Sequence, residues 1–314
     1  MKIRPELLGV LALITTAVLW GSNHVAARAS NGAIPLSAFV FWRWTLAVLP
    51  MTVLAWPSIR RHRVLIRENL ADLCFIGTIG VGIFSVLLIG GAYYSLAIEV
   101  SMINATTPAW VAAIGLIKGD GRLSPVQWLG LALAFLGTLL IITQGHLGMV
   151  FSMEARPGNI MALVGAIVFG WFSTRLKRYS GRLPAFTLTT VTAAFGTAIV
   201  ALPYYLVSVL VLGSGAIATS ADQTWFAILV ILYVAIGPTM IGNACYVYGL
   251  SVIGPQRAAA FLYLSPVASS VLAVLLLGES LHMYHFAGYA LIVAGLLLVN
   301  KPSRSTTPQS LIRQ

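Results

Sequence analysis

Asn23 and His24 lie deep in an apolar stretch, where a polar side chain needs a protein partner, a water-filled cavity or a ligand. With Thr16, Trp20 and Ala27 they share one helical face, by i, i+3, i+4 spacing. His24 is the group on that face that titrates near neutral pH. It reads either as a histidine hydrogen-bonded between helices or as a substrate contact. Arg43, in Phe41-Trp42-Arg43-Trp44, needs a carboxylate, a set of carbonyls or an anion beside it. Alternatively it snorkels to the interface, and a structural charge is the role expected of it. Ser101, Asn104, Thr107 and Pro108 form a second polar line on adjacent turns, and Tyr263, Ser265, Pro266 and Ser269 form a matching one. A proline inside a helix frees a carbonyl and kinks the axis, which suits a lined cavity, so Pro108 and Pro266 are the candidate gating or kink positions. Tyr93, Tyr94, Tyr246, Tyr248, Trp171 and Ser173 suit an interfacial belt or packing, and equally a stack on a substrate.

Other chemistries find little support. The acidic residues are Glu6, Glu68, Asp72, Glu99, Asp120, Glu154, Asp222 and Glu279, all in loops or near helix ends. Intramembrane carboxylates are the usual proton relays and cation sites, so a cationic substrate or an Asp/Glu-driven proton exchanger is disfavoured. His282 and His285 are three apart without a third ligand, a weak zinc pattern. No metal or cofactor is expected. There is no His-Glu-x-x-His motif or paired aspartate, and Gly213-Ser214-Gly215 reads as an external loop, so an enzyme is not expected. Cys74 and Cys245 stand in apolar stretches without ligand spacing and read as packing residues. Asn104-Ala-Thr106 matches a glycosylation acceptor, but inside a span it carries no meaning.

The elements that must position these residues follow from composition. Hydrophobic residues make up 59% of the chain, charged ones only 9%, and mean hydropathy is +0.91; a soluble domain carries about 25% charged residues. The main solvent is lipid. Helices are expected at 7–29, 36–56, 70–96, 101–117, 125–143, 158–176, 184–212, 224–249, 256–277 and 282–300, giving an all-α polytopic membrane protein. The third, seventh and eighth exceed what a bilayer needs and should tilt or kink, with Pro203 and Pro238 as kink positions. Abundant glycine, as in Gly77, Gly80, Gly82, Gly90 and Gly91, suits close helix packing or a helix that bends in gating. The net charge of +11 resides in short loops rather than a basic groove, so no nucleic-acid partner is expected. With the N-terminus cytoplasmic, the basic residues of both termini, 60–67, 118–122, 175–182 and Arg257 fall inside, and only Arg28 and Arg156 outside. That is a strong positive-inside bias and places both termini inside. Residues 7–29 are long for a signal-peptide core, about 7–15 residues, and have a counterpart at 157–179, so they read as a retained helix.

The pattern is also written twice. Pro108, Gly130 and Gly137 recur as Pro266, Gly288 and Gly295, displaced by 158; Gly9, Ala17 and Gly21 recur as Gly158, Ala166 and Gly170, displaced by 149. The expected division is a first five-helix repeat at 1–143, a connecting loop at 144–157, a second repeat at 158–300 and a disordered cytoplasmic tail at 301–314. An odd number of spans per repeat inverts the second copy, the architecture of secondary transporters with a site at the repeat interface.

With these motifs in hand, the chain resembles the drug/metabolite transporter superfamily, specifically its ten-helix EamA-type exporters. The matching residues are Trp20-Gly21-Ser22, Phe41-Trp42-Arg43, Tyr93-Tyr94-Ser95-Leu96-Ala97, Tyr246-Val247-Tyr248-Gly249-Leu250, Ser265-Pro266 and Leu277-Gly278-Glu279. Gly119-Asp120 stands where the second copy has Gly278-Glu279, a conservative departure. The resemblance covers residues 5–300. It implies a basket of helices around a central cavity lined by helices 1, 3, 4, 6, 8 and 9, in the cytoplasmic membrane. It also implies export of amino acids or other small metabolites by alternating access, with aromatic amino acid exporters the most similar group. The expected substrate contacts are Trp20, Asn23, His24, Tyr94, Asn104, Trp171, Asn243 and Tyr246. Partners are a small-molecule substrate and the lipid bilayer; the glycines fit a monomer or a homodimer. The alternatives are a sugar-phosphate or nucleotide-sugar antiporter, for which Arg43, Arg257 and Arg28 are the candidate cations, and a membrane-embedded enzyme.

Overall fold

Backbone polar groups in lipid must be satisfied within the chain, which makes each long apolar run a helix. The computed structural model describes residues 5–117, 124–146, 156–179, 181–253 and 261–299, and no strand occurs among them. The expected tail from Lys301, most of the 144–157 loop, Asp120, Glu154 and Arg257 lie outside the described residues. Among the described residues, seven helices are long and apolar enough to cross a membrane: α1 (Pro5–Ala29), α2 (Leu36–Arg61), α3 (Leu70–Tyr94), α5 (Pro125–Ile142), α6 (Pro157–Leu176), α7 (Ala185–Leu210) and α8 (Ala221–Val252). The apolar helices α9 (Leu264–Leu277) and α10 (Met283–Val299) are shorter. Between α3 and α5 runs α4, in two segments, Ala97–Asn104 and Thr107–Ile117.

The expectation of a continuous helix over 101–117 is corrected in two ways. The first segment of α4 starts earlier because the Glu279 carboxylate caps it, accepting the Ala97 N–H (2.9 Å) and the Ile98 N–H (3.2 Å). The helix then breaks at Ala105–Thr106, where the hydroxyls of Thr106 and Thr107 bond the carbonyls of Ile103 and Asn104. Pro108 stands in the first turn of the second segment, where a missing N–H is free of penalty. Pro266 is likewise the third residue of α9, after a turn at Tyr263. Both prolines mark helix restarts rather than kinks in continuous helices.

The three helices expected to tilt or kink each contain a π-helical stretch: Thr78–Ile83 in α3, Thr197–Ala201 in α7 and Ala235–Ile241 in α8. Pro238 sits inside the last. It cannot donate to the Val234 carbonyl, and the Thr239 hydroxyl does so instead (2.7 Å). Pro203 stands two residues after the end of the α7 stretch. Wide turns of this kind are among the standard causes of helix bending.

Packing crosses between the two halves of the chain. α1 lies on α8 and α9, α6 lies on α3 and α4, and α5 lies along α10. A Cβ on Gly21 would sit 2.5 Å from the Ser265 carbonyl oxygen, and one on Gly170 would sit 2.9 Å from Trp110 Cβ. Between α5 and α10 the approach is reciprocal. A Cβ on Gly130 would meet the Gly295 carbonyl at 2.5 Å, one on Gly295 the Gly130 carbonyl at 2.4 Å, and one on Gly137 the Gly288 carbonyl at 2.5 Å. Small residues allow such backbone contact where lipid supplies no hydrophobic drive. Gly137→Ala should therefore lower the midpoint of thermal unfolding in detergent, for an overpacking cost of about 1–3 kcal/mol. Gly115→Ala, whose added Cβ meets nothing within 4 Å, should not. Equal midpoints for the two variants would show that the α5–α10 contact does not limit stability.

Candidate functional site

The polar face of α1 is buried, and its groups divide into paired and unpaired. Thr16 Oγ1 donates to the Gly242 carbonyl (3.1 Å), and Trp20 Nε1 donates to the Pro238 carbonyl (3.2 Å) in the π-helical stretch of α8. The Trp20 ring lies 5.2 Å from that of Tyr246, tilted by 42°. Asn243 is one residue beyond Gly242, but its Nδ2 donates to Thr239 on its own helix (2.6 Å). Asn23 and His24 are 5% and 4% exposed. Asn23 Oδ1 and His24 Nδ1 have no hydrogen-bond partner among the described residues. An unpaired polar atom in an apolar interior carries a penalty of several kcal/mol in lipid.

Arg43 of α2 is buried within Coulombic range of His24. Its Nη2 donates to Ser85 Oγ of α3 (3.0 Å), its guanidinium carbon lies 4.9 Å from the Trp44 ring, and Trp44 Nε1 donates to the same Ser85 oxygen (2.6 Å). Arg43 Nε has no partner, and no carboxylate lies within ion-pair distance of the guanidinium among the described residues. The arginine is held in place without being neutralised. On the first segment of α4, the terminal residue Asn104 also has its Oδ1 buried and unpaired.

The structure brings Trp20 of α1 against α8, which carries Asn243 and Tyr246, and Asn23 and His24 follow Trp20 one turn on along α1. It does not join Tyr94 and Trp171 to them. Tyr94 ends α3 and is 54% exposed. Trp171 meets Phe75 near the start of α3 at a ring distance of 5.6 Å, with the Arg175 guanidinium 5.8 Å from its ring. These two aromatics stand near opposite ends of α3, because side chains spaced over a helix of 25 residues cannot share one small site.

Two carboxylate clusters escape any reading of local sequence. Near the start of α3, Asp72 accepts from Arg175 (2.9 Å), Arg178 (3.4 Å) and Tyr179 (2.7 Å). Burial and that last hydrogen bond push the Tyr179 hydroxyl up to about 12. At the other end of α6, Glu99 is fully buried and accepts from Arg156, Asn159, Tyr284 and Ser95. Nearby, Glu279 lines a cavity of about 490 Å³ with Arg28, Asn31, Leu96 and Ser280. Burial raises the Glu279 carboxyl, although two backbone N–H groups and Arg28 pull it down. The partners of Glu99 come from three separate elements, so no spacing along the chain announces them. His285 Nδ1 accepts the His282 N–H (3.0 Å), so this histidine pair caps α10.

Residues 7–143 and 156–301 each match the EamA-like transporter family. The chain belongs to that family. Among its relatives, "Probable amino-acid metabolite efflux pump" of Salmonella typhimurium is 29% identical over 92% of this chain and 93% of its own. "Probable terminal-alkyne amino-acid exporter" of Streptantibioticus cattleyicolor is 25% identical over 93% of each. One crystal structure aligns with a TM-score of 0.58 at 19% identity, covering 95% of this chain and 98% of that one, a likeness of fold. The protein is thus a multi-pass membrane transporter of EamA type. Within it, Ser85→Ala removes the hydroxyl that both Arg43 and Trp44 use. Leaving buried donors unsatisfied costs about 1–3 kcal/mol each, so the variant should unfold at lower temperature in detergent. An unchanged midpoint would mean that something other than Ser85 holds the arginine.

Proposed function

We propose that this EamA-like transporter exports neutral amino acids, aromatic ones included, across the cytoplasmic membrane by alternating access. In this reading the five-helix units at 1–143 and 158–300 lie in opposite orientations, with both termini cytoplasmic. The observation that carries the proposal is the unneutralised, buried Arg43, within Coulombic range of His24. A buried guanidinium with one hydroxyl partner is suited to a carboxylate. The unpaired Asn23 Oδ1 and Asn104 Oδ1 are acceptors for an ammonium, and the Trp20–Tyr246 pair offers an aromatic wall for an apolar side chain. Pro108 and Pro266, at the helix restarts, are the positions where α4 and α9 flex. The names of the relatives from Salmonella typhimurium and Streptantibioticus cattleyicolor point to the same substrate class. A sugar phosphate ranks behind, since a dianion calls for more than one cation. Arg28, the other candidate among the described residues, donates instead to the Tyr93 carbonyl (2.9 Å).

Counterflow in proteoliposomes tests this, with labelled neutral, aromatic, cationic and acidic amino acids and a sugar phosphate. Neutral and aromatic amino acids should exchange above empty vesicles. His24→Ala should slow that exchange by about tenfold, the equivalent of 1.4 kcal/mol, and Arg43→Gln should abolish it. Exchange of the sugar phosphate alone would transfer the assignment to the antiporter class, and unaltered exchange in His24→Ala would reduce that histidine to packing.

A further inference from the structure

Two carboxylates and two guanidiniums gather where α1, α3 and α9 end and α4 and α6 begin. Glu99 and Arg156 pair directly at 2.9 Å. Arg28 and Glu279 do not pair. Both line the cavity of about 490 Å³, and they lie within Coulombic range of each other. Yet no ion pair joins them among the described residues. Opposite charges that share a cavity without closing on each other are suited to a group that bridges them.

Both groups have capacity to spare. A guanidinium carries five N–H donors. The half-buried Arg28 donates from Nη1 to the Tyr93 carbonyl (2.9 Å), an acceptor that Asn31 Nδ2 also serves (2.8 Å). Its remaining N–H groups can take a carboxylate in two parallel bonds. Glu279 accepts one backbone N–H on each oxygen, Ala97 on Oε1 and Ile98 on Oε2, and each oxygen keeps a second lone-pair site. Burial works against the Glu279 charge, and an ammonium beside it offsets that cost. Leu96 and Leu277 add apolar wall to the same cavity, and Asn31 and Ser280 add polar groups. The volume falls within the range of about 300–1,000 Å³ that small-molecule sites occupy. A cation, an anion and an apolar wall together complement a neutral α-amino acid. A sugar phosphate would meet a single cation and a carboxylate that repels it.

We propose that this cavity is a second amino-acid site, in which Arg28 binds the carboxylate of a neutral α-amino acid, Glu279 binds its ammonium, and Leu96 and Leu277 receive its apolar side chain. The site goes beyond the one built on Arg43 and shares no residue with it. On the orientation proposed above it faces outside, the side on which an exported amino acid leaves.

Equilibrium binding of tritiated leucine to the full chain in lipid nanodiscs tests the site. Arg28→Gln should remove a binding component that Arg43→Gln leaves in place, so failure here and failure of the counterflow reading are distinguishable. In the Arg43→Gln protein, leucinamide, which lacks the carboxylate, and N-acetyl-leucine, which lacks the ammonium, should each compete more weakly than leucine. The difference should be about tenfold or more, the scale of one charge-assisted hydrogen bond. Adding Arg28→Gln should then strengthen the binding of labelled leucinamide, because the guanidinium that repels its charge is gone while Glu279 stays. Asn31 still serves the Tyr93 carbonyl in that variant, and a gain of leucinamide binding is a result that misfolding cannot produce. Leucine binding that Arg28→Gln leaves unchanged overturns the proposal. So does equal competition by the three ligands, or the absence of any gain for leucinamide. Binding that disappears entirely in Arg43→Gln assigns leucine to the other site alone and overturns it equally.

Discussion

An apolar side chain in a bilayer gains nothing from choosing a helix over a lipid tail, so the fold depends on how closely backbones approach. Here glycine sets that approach. The α5–α10 pair meets carbonyl to glycine at Gly130–Gly295 and Gly137–Gly288, and α1 and α6 cross their partners at Gly21 and Gly170. These contacts join one half of the chain to the other, which makes the two halves a single packed body. Any rearrangement that alternates access has to pass through these same interfaces.

The second constraint is hydrogen bonding without water. Where helices break or widen, hydroxyls replace the missing backbone donors: Thr106 and Thr107 at the α4 break, and Thr239 opposite Pro238. Among the described residues, eleven buried side-chain atoms have no hydrogen-bond partner, those of Asn23, His24, Arg43 and Asn104 among them.

Among the described residues, the ion pairs lie at the two ends of α6. Asp72 holds the end that carries Arg175, and Glu99 holds the end that carries Asn159, next to Arg156. Each carboxylate joins α6 to a helix of the first half. Charge therefore fixes where α6 is gripped, while glycine packing fixes how close it lies. The buried Glu99 is tolerated because Arg156, Asn159 and Tyr284 donate to it, the condition under which a low-dielectric site retains a carboxylate.

By itself, the sequence determined the class of the fold, because apolar runs about 20 residues long have one stable form in lipid. It also showed that the glycines of the paired motifs recur at a fixed displacement, and that the α1 face is polar, since a 3.6-residue period places Thr16, Trp20, Asn23 and His24 together. The tertiary structure decided the rest. It started α4 at Ala97 under the Glu279 cap and restarted it at Thr107, where the Thr106 and Thr107 hydroxyls bond the carbonyls of Ile103 and Asn104. It set Tyr94 and Trp171 apart from Trp20 along α3. It also assembled Glu99, Asn159 and Tyr284 into one cluster from positions up to 185 residues apart. Periodicity reports which residues share a face of one helix. It carries no information about which faces meet, and a site built from three elements exists only once they do.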